Sequence, residues 1–292
     1  MDISIFGFRA LWSPGYLTFI VALIVLYFYL IRKEKYAVTV KQQFFFVTSM
    51  ILLYMMKGGP LDLLGHLMFS AHMTGMAIVY LAVPPLLILG LPQTLLREFI
   101  NLRGIKPLFS FFSIPLLALI IFNGMFSFYH IPLIFDVVKT DEVLHSIFSV
   151  LMFISAFIMW WPVVNLLPEA ESLTPIKKIG YIFANGVLLT PACALIIFAS
   201  EPLYSTYSDP TIWMKALELC VPADTLATLN IGAPELFNWF PLIEDQQTGG
   251  VIMKVVQEIV YGSILGYIFF QWARKEREKD QLELKSTPQT NL

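Results

Sequence analysis

Charge is scarce in this chain: only 14% of its 292 residues are Asp, Glu, Lys or Arg, where a soluble domain carries about 25%. With 57% hydrophobic residues and a mean hydropathy of +0.72, that scarcity excludes a soluble enzyme and a disordered chain. The 19 basic residues are outnumbered by 21 acidic ones, for a net charge of −2, so no polyanion-binding surface and no nucleic-acid partner is expected. Two cysteines exclude a disulfide framework and a zinc-thiolate site. The sequence contains no phosphate-binding Walker loop, no G-x-S-x-G elbow and no H-E-x-x-H pair. It has no internal repeat and no low-complexity tract.

What is present is a series of apolar runs long enough to cross a bilayer, which takes roughly 20 residues each. They fall at 15–31, 43–56, 63–91, 108–130, 142–166, 179–200 and 249–272. The runs are continuous rather than alternating, which excludes a barrel and predicts an all-α polytopic transmembrane bundle of about seven spans. Lys57-Gly58-Gly59-Pro60 stops the second run, and Pro84-Pro85 is expected to kink or end the third. On this reading residues 1–273 form one seven-span membrane domain with a long outer loop at 201–248, and 274–292 is a charged cytoplasmic tail. The prolines and scattered aromatics of the loop suggest that it folds down onto the helix ends, with a short interfacial helix near 211–219.

Lysine and arginine sort by side. Arg32, Lys33, Lys35 and Lys41 follow the first run; Arg97, Arg103 and Lys106 follow the third; Lys177 and Lys178 follow the fifth; Arg274, Lys275, Arg277, Lys279 and Lys285 follow the last. The positive-inside rule then puts the N-terminus outside and the C-terminus in the cytoplasm. The opening has one basic residue and no small-residue cleavage site after the first run, which reads as an uncleaved anchor.

The four histidines all fall on the outer half of this topology. His66 and His72 lie at the start of the third run, about 9 Å apart in depth; His130 ends the fourth, and His145 opens the fifth. Asp136, Asp141 and Glu142 lie in or beside the connection between the last two. At about 100° per residue, Asp62, His66, Phe69, Met73, Met76 and Tyr80 share one helical stripe, with His72 at its edge and Met68 about 40° further round. Imidazole suits copper, and thioether favours Cu(I), so this pattern is a candidate copper site or relay that Met125 and Met152 extend. The alternative is plain packing, because methionine fills gaps in apolar helices and an interfacial histidine is often only solvated or capping. Lys254 and Glu258 form an i, i+4 pair inside the last run, either a functional intramembrane pair or glue between helices. Asp245 either caps that helix or joins a metal site. Gly249-Gly250 permits close helix approach, and Asn123, Asn185 and Pro191 read as interhelical bonding and kink positions.

Three segments carry a family resemblance that spans essentially the whole chain. The first is His66, Met68, His72, Met73 and Met76 running into Val83-Pro84-Pro85 and Gly90-Leu91-Pro92; the second is the opening Phe6-Gly7-Phe8-Arg9 through Pro14; the third is Asp245-Gln246-Gln247-Thr248-Gly249-Gly250. Together they resemble the CtaG-type cytochrome c oxidase assembly factors of Gram-positive bacteria. The resemblance implies a multi-pass plasma-membrane protein needed to make an active haem-copper oxidase, with oxidase subunits and the lipid bilayer as partners and with its motif residues at His66, His72 and Asp245. The expectation is therefore an assembly factor rather than an enzyme, handling copper through His66, His72, His130, His145, Met68, Met73, Met76 and Asp245. Two alternatives remain: a b-type haem protein using His72 with His130 or His145, and a proton or metal transporter using Lys254, Glu258 and His72.

Overall fold

A computed structural model describes residues 3–228 and 240–286. Every element among these residues is helical. A short opening helix α1 (Gly7–Trp12) leads into α2 (Pro14–Ile31), with Ser13 between them in the left-handed region at φ 35°. Helix α3 (Val40–Lys57) starts on a capping box in which the Thr39 side chain and Gln42 satisfy each other's backbone amides. It stops at Lys57, as the Gly58-Gly59-Pro60 sequence dictates, and the chain resumes as α4 (Pro60–Leu67) after a bend of 41°.

The third apolar run is not one helix. Met68 adopts an extended conformation (φ −132°, ψ 137°) between α4 and α5 (Phe69–Ala77), so the expected stripe from Asp62 to Tyr80 is cut. Gly65 then lies so close to α5 that a Cβ there would sit 3.3 Å from the Cα of His72. Helix α5 continues through one π-helical turn (Ile78–Ala82) into α6 (Val83–Gly90). The π turn is how Pro84 and Pro85 are accommodated without breaking the span. Pro84 has no N–H to give to the carbonyl four residues earlier, and that Tyr80 carbonyl accepts from Trp160 Nε1 at 3.4 Å instead.

The remaining elements are α7 (Gln93–Ile100), α8 (Ile105–Phe112), α9 (Pro115–Tyr129), α10 (Pro132–Lys139), α11 (Glu142–Val164) and α12 (Pro175–Ile197). After these come α13 (Ser205–Ser208), α14 (Pro210–Leu217), α15 (Ala223–Thr228) and α16 (Leu242–Ser286). The fourth apolar run also differs from the straight span expected at 108–130: α8 and α9 meet at 82°, because Pro115 holds Ile114 extended. Among the described residues five helices are long and apolar enough to cross a membrane, or up to seven if each bent pair counts as one span. Part of the loop expected at 201–248 and the end of the expected tail lie outside the described residues.

The span α5–α6 is the centre of the bundle. It is 61% buried, against 11% for the span that contains α2, and it packs on α3, α11 and α16. Glycines set two of these approaches: a Cβ on Gly90 would meet Phe46 N at 2.5 Å, and one on Gly249 would meet Phe69 Cδ1 at 2.8 Å. Outward-facing Val25, Phe183, Leu116 and Ile259 stay exposed, as lipid-facing residues do. Asn123 donates to Asn185 (2.7 Å), and Asn185 donates to Met159 Sδ (3.0 Å), linking α9, α12 and α11 as expected of interhelical polar residues.

One end of the bundle is capped. The expected short helix near 211–219 is present as α14, with one face buried there and with Pro210, Thr211 and Lys215 exposed. Trp213 and Leu217 are both 0% exposed and pack with Phe6, Ala10, Leu63, Leu67 and Met68.

Candidate functional site: a histidine cavity under the cap

The capped end contains a small cavity of about 30 Å³ lined by Met56, Lys57, Asp62, His66, His72, Met76, Lys139 and His145, among others. An adjoining one of about 20 Å³ is lined by His72, Met76, Tyr80, Tyr129, His145 and Met152. Three of the four histidines thus meet, brought from α4, α5 and α11. The break at Met68 makes this possible, since it folds α4 back on α5 and turns both His66 and His72 toward α11.

The hydrogen bonds fix what each ring offers. His66 Nδ1 donates to the Ala216 carbonyl at 3.2 Å, which leaves Nε2 as the lone-pair nitrogen. His145 Nδ1 is buried without a hydrogen-bond partner among the described residues. The His66 and His145 ring centres are 5.9 Å apart. His72 Nε2 has only a long contact, 3.5 Å, from the Tyr129 hydroxyl. Among the described residues no three His, Cys, Asp or Glu side chains are grouped closely enough to hold a metal ion together, so the tightest arrangement is the His66–His145 pair.

The other expected ligands lie elsewhere. His130 is fully buried under α9; its Nδ1 donates to Phe126 O at 2.7 Å and its ring lies 4.3 Å from that of Phe126. Met68 belongs to the apolar cluster of the cap, and Met73 faces Gly249 of α16. Only Met76 of the three expected methionines lines the cavity, joined by Met152 and by Met56.

Asp245 is a helix cap. Its carboxylate accepts from Phe69 N (2.7 Å), Ser70 N (3.3 Å) and the Ser70 hydroxyl, at the N-terminus of α5 that the break at Met68 leaves bare. It therefore positions the helix that carries His72. Asp136 does the same for α13, accepting from Ser205 N and Thr206 N, and Asp141 caps α11. Lys254 donates to Thr190 and Gln257 and lies 4.0 Å from Glu258. It joins α16 to α12, away from the histidines.

The cavity also holds residues not expected as site residues, Met56, Asp62 and two lysines, Lys57 and Lys139. The signal was there: both fall on the histidine side of the topology, away from the basic side. Lys139 is 2% exposed, and among the described residues its Nζ donates to the Gly65 carbonyl alone, at 3.4 Å. Burial pushes its pKa down to about 7, helped by the nearby charge of Lys57 and opposed by Asp62. Tyr207 shares the Gly65 carbonyl at 2.6 Å, so these two groups satisfy the C-terminal end of α4.

Fold and site define a multi-pass helical membrane protein with a dense imidazole–thioether pocket under one capped end. The chain belongs to the cytochrome c oxidase caa3 assembly factor family (Caa3_CtaG), whose model matches residues 10–275. It is also similar to uncharacterised mycobacterial proteins. One from Mycobacterium leprae is 23% identical over 229 residues, covering 73% of this chain and 31% of that protein. Another from Mycobacterium bovis is 23% identical over 247 residues, covering 79% and 34%. The chain thus spans about a third of the length of these curated relatives. No solved structure matches.

Proposed function

We propose that this protein serves haem-copper oxidase assembly in the plasma membrane by holding Cu(I) transiently between His66 and His145, with His72, Met76 and Met152 as the neighbouring donors. The observation that carries this reading is the 5.9 Å separation of the two rings. Two imidazoles bound at about 2 Å to one ion from opposite sides have ring centres about 6 Å apart. Both rings have a nitrogen free for the purpose. The soft thioethers beside them favour Cu(I) over harder cations. Lys57 and Lys139 line the same cavity and oppose a bound cation, with Asp62 as partial offset; that balance suits cargo that must be released. His130, Met68, Met73 and Asp245 then shape the site without touching the ion. The histidines sit opposite the basic connections, so the positive-inside rule puts this pocket on the outer side.

The test is the copper-to-protein ratio of the full chain purified in detergent, read together with oxidase activity of the cells. His66→Ala with His145→Ala is expected to abolish both, and His130→Ala to keep the copper. Copper retained by the double variant at the wild-type ratio contradicts the reading.

A b-type haem has one observation in its favour. The cavities between the histidines are far too small for a porphyrin, but a groove of about 570 Å³ runs beside His66 and His145, within the usual size of ligand pockets. A Soret absorbance in the purified protein would select that reading over copper.

A further inference from the structure

The last helix carries a carboxylate on its lipid-facing side. Helix α16 buries Met253, Gln257, Tyr261, Ile264 and Ile268 against the bundle. Glu258 points away from that face, and its side chain is 72% exposed. At 1.5 Å per residue it lies about 14 Å from the outer end of the apolar run 249–272, near the middle of a hydrocarbon core about 30 Å thick. Ionisable side chains at that depth almost always face a bundle interior. Lys254 does not satisfy it. Its Nζ donates to Thr190 at 3.3 Å and to Gln257 at 3.1 Å, and stays 4.0 Å from the Glu258 carboxylate, beyond hydrogen-bond length. Among the described residues only Gln257 Nε2 donates to Glu258, at 3.3 Å.

At about 100° per residue, Val251, Val255, Gly262, Gly266 and Phe269 share the stripe of Glu258, and Val251, Val255 and Phe269 are exposed on it. Gly262-x-x-x-Gly266 is a spacing that lets two membrane helices approach closely. Nothing described in this chain uses it, since a Cβ on either glycine would meet no described atom within 4 Å. The glycines nearer the start of α16 differ: a Cβ on Gly249 would meet Phe69 at 2.8 Å, and one on Gly250 would meet Ile197 at 2.7 Å.

We propose that this stripe docks a transmembrane helix of an oxidase subunit, one that brings a hydrogen-bond donor to the depth of Glu258. A donor is what the face lacks, and lipid tails have none to offer. A second copy of this chain does not supply it. Two copies inserted the same way hold Glu258 at equal depth, so a two-fold pair sets acceptor against acceptor, and Lys254 is already engaged by Thr190 and Gln257. The glycines give the partner helix its close approach, and the carboxylate fixes its register. Membership of an oxidase assembly family names the class of partner; the proposal rests on that role and not on copper.

The test places a photoreactive benzoylphenylalanine at position 255 of the full chain, or at position 25 on the exposed side of α2 as a control. The cells carry a distinct tag on each membrane subunit of their haem-copper oxidase. Irradiation is expected to join position 255, and not position 25, to one tagged subunit. Gly262→Leu should abolish that product by filling the approach. Glu258→Ala should cut its yield about three- to ten-fold, the range of one interhelical hydrogen bond in a membrane. Glu258→Gln, which keeps an acceptor, should hold it near the wild-type level. No tagged product from position 255, equal products from both positions, or a product only with a second copy overturns the proposal, whatever the variants do. A Gly262→Leu chain that crosslinks as well as the wild type also overturns it. The copper-to-protein ratio of the same preparations reads the pocket separately. Copper without the crosslinked product overturns docking alone, and the product without copper overturns the copper site alone.

Discussion

Asp245 shows how a residue can matter to a site without entering it. Sequence alone left it between a cap of its own helix and a metal ligand; it lies instead inside the first turn of α16, and its carboxylate accepts three hydrogen bonds at the start of another helix, α5. Charge-assisted bonds of this kind are worth about 1.5–3 kcal/mol each. Asp245→Ala should therefore lower stability in detergent by about 2–3 kcal/mol after water replaces part of the loss, read by thermal unfolding; an unchanged midpoint contradicts the capping role. Lys139 gives a pH signature. Its folded pKa, about 7, lies below the ordinary lysine value near 10.4. The unfolded chain thus binds the extra proton between these two values, and stability should rise with pH across that window. Below pH 7 the cost of burying the charge is present in full. Lys139→Met should flatten the rise, and a profile as steep as the wild type would rule this cause out. The type of the site residues and the end of the bundle they occupy were legible from histidine placement. Which of them converge was not: His130 turns back on the Phe126 carbonyl of its own helix, and the burial of Lys139 against Gly65 depends on residues distant in sequence.

At the scale of elements, the informative departures are breaks. A hydropathy run averages over Met68, whose side chain is as apolar as its neighbours, so nothing in the run betrays an extended residue there. The glycine at 65 and the proline at 60 were the local hints of a separate short helix. The prolines at 84 and 85 were read as a kink or an end, and the π turn with Trp160 on the freed Tyr80 carbonyl shows a third solution. One helix end follows from local chemistry, the stop at Lys57, as does the close approach at Gly249-Gly250; the last helix instead runs from Leu242 to Ser286, well beyond the apolar run at 249–272. Close approach also makes a prediction at Gly90, where an added Cβ would meet backbone of α3 at 2.5 Å. Gly90→Ala should cost about 1–3 kcal/mol, as overpacking does, measured by the loss of folded protein on heating. A neutral effect would mean that α3 and α6 separate freely.

For the whole molecule, the helical membrane class and the family were both readable from the chain, the first from apolar runs and the second from three motif segments. Exact span count was not, since two of the seven expected spans are bent helix pairs and the described residues give five to seven. Orientation rests on the basic residues and is directly measurable. With Cys193 and Cys220 replaced by Ser, a cysteine at Lys106 should react with a membrane-impermeant maleimide only after the cells are opened, and one at Glu218 should react in intact cells. The reverse pattern would put the histidine pocket on the cytoplasmic side and remove the outer-side argument for copper.

The most direct test of the central claim is a Cu(I) titration of the full chain in nanodiscs against a coloured chelator, comparing wild type with the His66→Ala, His145→Ala double variant. The account predicts one high-affinity Cu(I) per wild-type chain, lost in the double variant and kept in His130→Ala. The same stoichiometry and affinity in the double variant would contradict it.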